Sequence, residues 1–194
     1  MKKTVWTFGL IAGAILSAMM LLTLPFQLQI GPERGMIIGY TTMVLAFMLV
    51  YFGVRSYRDN VAGGEIGFGR AMAVGTLIVL VASVIYVATW QLVYFQLAPE
   101  YATEIQAHMM ERARAGGGTP EEIARKVAEV ERFARMYRNP AFNAAVTFLE
   151  PLPVGLVFAL VTAGVLSRRR RSTAPGAAAS VVMGGAAASQ AFHR

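Results

Sequence analysis

The sequence predicts an all-α fold: an integral membrane four-helix bundle with an extramembrane amphipathic helical hairpin between helices 3 and 4. Three observations predict it. Residues 5–24, 35–54, 72–95 and 141–166 are apolar runs, each close to the roughly 20 residues that cross a hydrocarbon core of about 30 Å. Hydrophobic residues make up 56% of the chain, above ordinary globular composition, and the excess is concentrated in these runs. Between the third and fourth runs lie two segments with helical periodicity, separated by three glycines.

The first run follows Lys2 and Lys3 and carries Gly9, Gly13 and Ser17 at four-residue spacing. Small side chains in such a stripe let a neighbouring backbone approach closely, within the bundle or at a homo-oligomer face. The run is longer than a signal-peptide core and has no Ala-x-Ala site before Pro25, so it reads as a retained anchor ended by that proline. Gly31 and Pro32 turn the chain into the second run, where Tyr40, Thr41 and Thr42 lie about one and a half turns deep.

A charged stretch from Arg55 to Asn60 and the juxtamembrane loop residues Gly63, Gly64, Phe68, Gly69 and Arg70 lead into the third run. The glycine spacing is neither a Walker A motif nor a dinucleotide fingerprint, and no strand precedes it. It reads as a tight return into the membrane, with Ile66 and Phe68 in the interface and Arg70 snorkelling. Gln91 lies about one turn from the far end of the third run, and Trp90, Tyr94 and Phe95 there, like Trp6 in the first run, read as an aromatic belt.

The hairpin spans 99–138. Pro99 opens a helix to about Ala115 with Tyr101, Ile105 and Met109 on one face, and Gly116, Gly117 and Gly118 stop it. Thr119, Pro120 and Glu122 then form a capping box. The second helix places Ile123, Val127, Val130, Ala134 and Tyr137 on one face, with Glu121 and Arg125, Glu122 and Lys126, and Glu131 and Arg135 paired at i,i+4. Asn139 and Pro140 end it. Its apolar stripes have three possible counterparts: each other, the membrane surface or a protein partner.

The fourth run holds the one acid within any of the four, Glu150, followed by Pro151 and Pro153. An ionised acid at the centre of a spanning helix costs about 3 kcal/mol on insertion scales, so this group is expected to find a donor or stay protonated. The prolines remove amide donors and predict a helix kink beside it. Gln91, Tyr40, Thr41, Thr147 and Asn143 fall at similar depth, and with Glu150 they make a candidate functional polar cluster. Residues 172–194, rich in Ala, Gly and Ser, are expected to be a disordered tail beyond a membrane domain covering 1–171.

The formal net charge of +7 is distributed by membrane topology. Lys2, Lys3, Arg55, Arg58, Arg70 and the run 168–171 fall on one predicted side, which places both termini in the cytoplasm of a bacterium, the protein being multi-pass in its inner membrane. The 96–140 loop is the exception, with seven basic residues offset by seven Glu. No aromatic interleaving accompanies the basic residues, so membrane lipids are the expected partner and nucleic acid is not. The absence of cysteine excludes disulfides, thiol nucleophiles and thiolate metal sites. His108 and His193 alone supply too few ligands for a histidine metal centre. No cofactor and no enzymatic activity are expected.

Four stretches carry a resemblance: Tyr57-Arg58-Asp59; Gly63-Gly64-x-Ile66-x-Phe68-Gly69-Arg70-Ala71; Tyr137-x-Asn139-Pro140; and Thr147-Phe148-x-Glu150-x-x-Pro153-Val154-Gly155. With them the chain resembles the bacterial membrane-protein family of domain of unknown function 4199 from Met1 to about Arg171. Gly67 departs from it, standing where serine is expected. The resemblance implies four helices with a long charged loop before the last and brings no reaction. The function expected is a non-enzymatic interaction or scaffold module with its hairpin outside. The alternative is a small transporter or proton-coupled module using Glu150.

Overall fold

The computed structural model describes residues 1–26 and 32–167. Gly31 of the expected turn, the arginine run at 168–171 and the expected disordered tail at 172–194 lie outside the described residues. Regular structure in the described residues is helical: α1 (Lys2–Thr23), α2 (Pro32–Asn60), α3 (Phe68–Leu92), α4 (Pro99–Ala115), α5 (Pro120–Tyr137), α6 (Pro140–Leu149) and α7 (Pro151–Leu166). A 3-10 turn, Leu24–Phe26, follows α1 and contains Pro25, and a π-helical turn, Val93–Leu97, follows α3. Four stretches are long and apolar enough to cross a membrane: Lys2–Phe26, Arg34–Asn60, Phe68–Leu97 and Pro140–Leu166. Their outward residues, among them Leu22, Leu45, Val157 and Leu160, are as apolar as the core and exposed, which points to a lipid solvent.

Helix α2 continues beyond the apolar run that defines it in sequence. Arg55 and Arg58 both pair with Asp59, at 3.6 and 2.7 Å, and Asn60 Nδ2 donates to the Ser56 carbonyl at 3.0 Å. Charged residues at the water boundary thus finish the helix instead of starting a loop. The return that follows is tight because Gly63 and Gly64 take φ of +72° and +91°, where a Cβ would be strained. The Gly64 amide donates back to the Arg58 carbonyl at 2.9 Å. Ile66, expected in the interface, is instead buried in the core; Phe68, Gly69 and Arg70 are exposed.

Helix α3 is the centre of the bundle and packs on α1, α2, α6 and α7. Its parallel contact with α1 uses the whole small-residue stripe. A Cβ at Gly9 would lie 2.7 Å from Val81, and one at Gly13 would lie 2.8 Å from Ile85. One turn further, Thr89 Oγ1 donates to Ser17 Oγ at 2.9 Å. The stripe is therefore covered by α3 within the same chain. The antiparallel contact with α7 brings Gly75 against Ala159 and Gly155 against Val79. Phe47, Val50, Val54, Val74, Ile78 and Val79 fill the space between α2, α3 and α7.

These close approaches predict a contrast between glycines. Gly13→Ala should destabilise the bundle by about 1–3 kcal/mol through overpacking against Ile85. Gly35→Ala, with nothing within 4 Å of the new methyl, should be neutral or stabilising by up to about 1 kcal/mol. Thermal unfolding of the two purified variants in one detergent checks the pair.

Candidate functional site

The polar residues of the apolar helices collect where the hairpin joins the bundle. Two N-cap signals build this junction. Thr119 Oγ1 accepts from the Glu122 amide at 3.3 Å while the Glu122 carboxylate accepts from the Thr119 amide at 3.1 Å, so the expected capping box starts α5. Asn139 ends α5 and also starts the next helix. Its Oδ1 accepts from the amides of Ala141 and Phe142 at 2.9 and 3.3 Å, with Pro140 in the first position of α6. Glu131 and Arg135 pair at 3.8 Å as their spacing predicts. Glu122 is committed to its cap, and Lys126 Nζ donates to the Gly117 carbonyl at 3.5 Å.

With α6 so started, Asn143 enters the interior and is fully buried. Its Oδ1 accepts from Gln91 Nε2 at 3.0 Å, and its Nδ2 donates to the Tyr137 carbonyl at 3.4 Å. Gln91 Nε2 also donates to the Pro140 carbonyl at 3.1 Å. One turn along α6, Thr147 Oγ1 lies 3.2 Å from the Tyr137 hydroxyl, which accepts from Trp90 Nε1 at 3.0 Å. The indole can only donate, so the tyrosine proton is free for Thr147. Tyr137 thus joins α5, α6 and α3 through one side chain. Its ring packs on Tyr94 at 5.3 Å and Phe133 at 5.4 Å, while Trp90 meets Tyr101 edge-on at 6.1 Å. Burial raises the Tyr137 hydroxyl above the usual tyrosine range, against the hydrogen bonds of Thr147 and Trp90, and pushes Tyr101 up to about 12.

The π-turn Val93–Leu97 directs the chain from α3 into the hairpin. The Ala98 amide reaches the Val93 carbonyl at 2.9 Å, five residues back, and Val93 is buried beneath the wide turn. Sequence periodicity does not reveal this feature, because Val93, Tyr94 and Phe95 continue the apolar run and Gln96 reads only as its end.

Glu150 forms a separate contact below the cluster. It accepts from the Tyr86 hydroxyl at 3.3 Å on an exposed part of the helix surface. Pro151 and Pro153 lack N–H groups, so the carbonyls of Thr147 and Leu149 lose their intrahelical donors. The chain nonetheless stays right-handed helical through Glu150, at φ −66° and ψ −54°. Between α6 and α7 it is therefore the hydrogen-bond ladder that is interrupted.

Of the residues grouped by depth, Gln91, Asn143 and Thr147 meet through Tyr137, and Glu150 lies on the same α6–α7 rod. Tyr40 and Thr41 do not join them: both are exposed on α2, whose inward face at this level is Thr42 and Met43. Thr42 Oγ1 donates to its own helix, to the Ile38 carbonyl at 2.9 Å. Tyr40 and Thr41 share the depth of the cluster but not its azimuth. Gly63, Gly64, Phe68, Gly69 and Arg70 sit at the opposite end of α3 from Gln91. The residues missed in sequence are Tyr137, Tyr86 and Trp90. The last reads there as an interfacial anchor, and the Asn139-Pro140 cap is the signal that locates the junction. Among the described residues, no three His, Asp or Glu side chains come together to hold a metal. The groove between α3 and α6, about 440 Å³, is lined by Val84, Val87, Ala88, Ala144, Ala145 and Phe148, a surface suited to acyl chains.

The family described as Protein of unknown function (DUF4199) matches the chain over residues 7–168, which take in most of the first apolar helix, the other three and the hairpin. No curated protein and no solved structure matches the chain.

The junction predicts that Tyr137→Phe costs about 1–2 kcal/mol, since it leaves Trp90 Nε1 and Thr147 without their shared partner. The same hydroxyl gives a pH dependence. A raised tyrosine stabilises the fold in its neutral form, so the contribution is complete below about pH 10, the unfolded value, and is lost as pH rises through the folded one. Alkaline melts of wild type and Tyr137→Phe, followed by tryptophan fluorescence, should differ in that window.

Proposed function

The chain belongs to the family of proteins of unknown function DUF4199, and from that premise we propose that it is a multi-pass protein of the bacterial inner membrane acting as a non-enzymatic interaction or scaffold module. Its hairpin stands outside and both termini lie in the cytoplasm. The observation that carries this reading is the Tyr137 junction. Trp90 of α3 and Thr147 of α6 both bond the Tyr137 hydroxyl, and this fixes α5 to the bundle. A rigidly mounted hairpin presents its surface at a set height and angle to whatever approaches the membrane. Its exposed side chains include Met109, Phe133 and Met136, apolar groups set among the charged residues of α4 and α5. Mixed apolar and charged surface of this kind suits a protein partner with a polar rim around an apolar centre.

A second reading is favoured by the Tyr86–Glu150 contact: a small transporter or proton-coupled module with the acid as its working group. The two readings separate experimentally. Photocrosslinkers placed at Met109 and Phe133 in native membranes should give one discrete adduct that a crosslinker at Gly69 does not. Deletion of 102–135 should reproduce the phenotype of losing the whole protein. No adduct and an intact phenotype would reject the interaction module. Proteoliposome flux that responds to Glu150→Gln would support the transporter.

A further inference from the structure

The Ser83 hydroxyl is fully buried, and its Oγ has no hydrogen-bond partner among the described residues. In a helix a serine ordinarily bonds the carbonyl one turn back, so an orphan in the apolar core of a bundle calls for a partner of another kind. Its place in the register indicates where that partner would sit. Val79, one turn before Ser83 on α3, touches Gly155 of α7. Tyr86, one turn after, donates to Glu150. Ser83 is therefore level with Pro151, at the α6–α7 break. In an unbroken helix the Thr147 carbonyl would point at the amide of residue 151, which proline does not have. A hydroxyl oxygen, an unclaimed carbonyl and a carboxylate thus lie at one level along the bundle, Ser83 inside it and Glu150 at its surface.

We infer that the α6–α7 break is a binding site for a small hard monovalent cation of the sodium class, held by Ser83 Oγ, the Thr147 carbonyl and the Glu150 carboxylate. Oxygen donors select hard cations over metals that prefer nitrogen or sulfur. One carboxylate neutralises one monovalent charge, whereas a divalent ion would leave net charge in hydrocarbon. The Tyr86 hydroxyl donates to Glu150 Oε2 at 3.3 Å and so orients the carboxylate. An interrupted helix with freed carbonyls beside an acid is a form in which membrane proteins coordinate such ions. The site stands independently of the interaction role proposed above.

The test is thermal unfolding of the full chain in phospholipid nanodiscs at constant ionic strength, in sodium, lithium, potassium and choline chlorides and at two pH values. Sodium or lithium should raise the Tm saturably by about 5–10 °C at a hundredfold excess over the dissociation constant. Choline should not. Ser83→Ala and Glu150→Gln should each abolish the rise. In choline, Ser83→Ala should melt no lower than wild type, because it removes an unpaired hydroxyl, and so it reports on the ion without a folding defect. Equal Tm in all four salts, or an ion-specific rise that survives either substitution, would overturn the assignment. A Tm that follows only pH and loses that dependence in Glu150→Gln would also overturn it, identifying the ligand as a proton.

Discussion

Everything in this molecule depends on how closely α3 can approach its neighbours. In lipid there is no hydrophobic gain from pressing one apolar helix on another, so dispersion contacts at close range and a few hydrogen bonds must hold the bundle. Glycine supplies the close range. Gly9 and Gly13 seat α1 on Val81 and Ile85, Gly53 admits Ile78 and Phe8, and Gly155 admits Val79. Each is a place where one added methyl meets a neighbouring side chain. The polar bond between Thr89 and Ser17 continues the first of these seams to the end where the hairpin lies.

That packing fixes the register of the fourth apolar segment, and the register builds the junction. Gly75 on Ala159 and Val79 on Gly155 set the level at which Tyr86 meets Glu150 and Gln91 meets Asn143. Further along, the same alignment puts Trp90 within reach of Tyr137, so the hairpin inherits its position from contacts some three turns away. A slip of one residue would rotate Asn143 and Thr147 out of the interior and leave Gln91 and Trp90 without acceptors. Polar groups here specify one arrangement more than they add stability, since their unpaired alternatives in an apolar medium are costly.

The sequence showed the helices well because lipid and capping chemistry both act locally. Four apolar runs, Pro99 at the start of α4 and the Thr119 to Glu122 box each announce themselves within a few residues. The extension of α2 to Asn60 was less visible, because Arg55, Arg58 and Asp59 read as loop residues until their pairing on a helix face is seen. The polar cluster was half legible. Counting residues gives depth along a helix, which brought Gln91, Asn143 and Thr147 together, but it does not give the direction a side chain faces once helices pack. Tyr40 and Thr41 failed for that reason. Local pattern places Tyr137 on the hairpin stripe and Trp90 in the membrane belt, and their mutual bond is a tertiary fact that neither pattern contains.

The whole arrangement rests on α3 and α7 packing in a single antiparallel register. The natural absence of cysteine makes this directly measurable by disulfide trapping in native membranes. Gly75→Cys combined with Ala159→Cys, at a site where a new Cβ lies 3.1 Å from that of Ala159, should crosslink rapidly and nearly completely under mild oxidant. Pairing Gly75→Cys with Ala163→Cys, one turn along α7, should not. Preferential crosslinking of the shifted pair, or none from either, would contradict the register and with it the account of the junction.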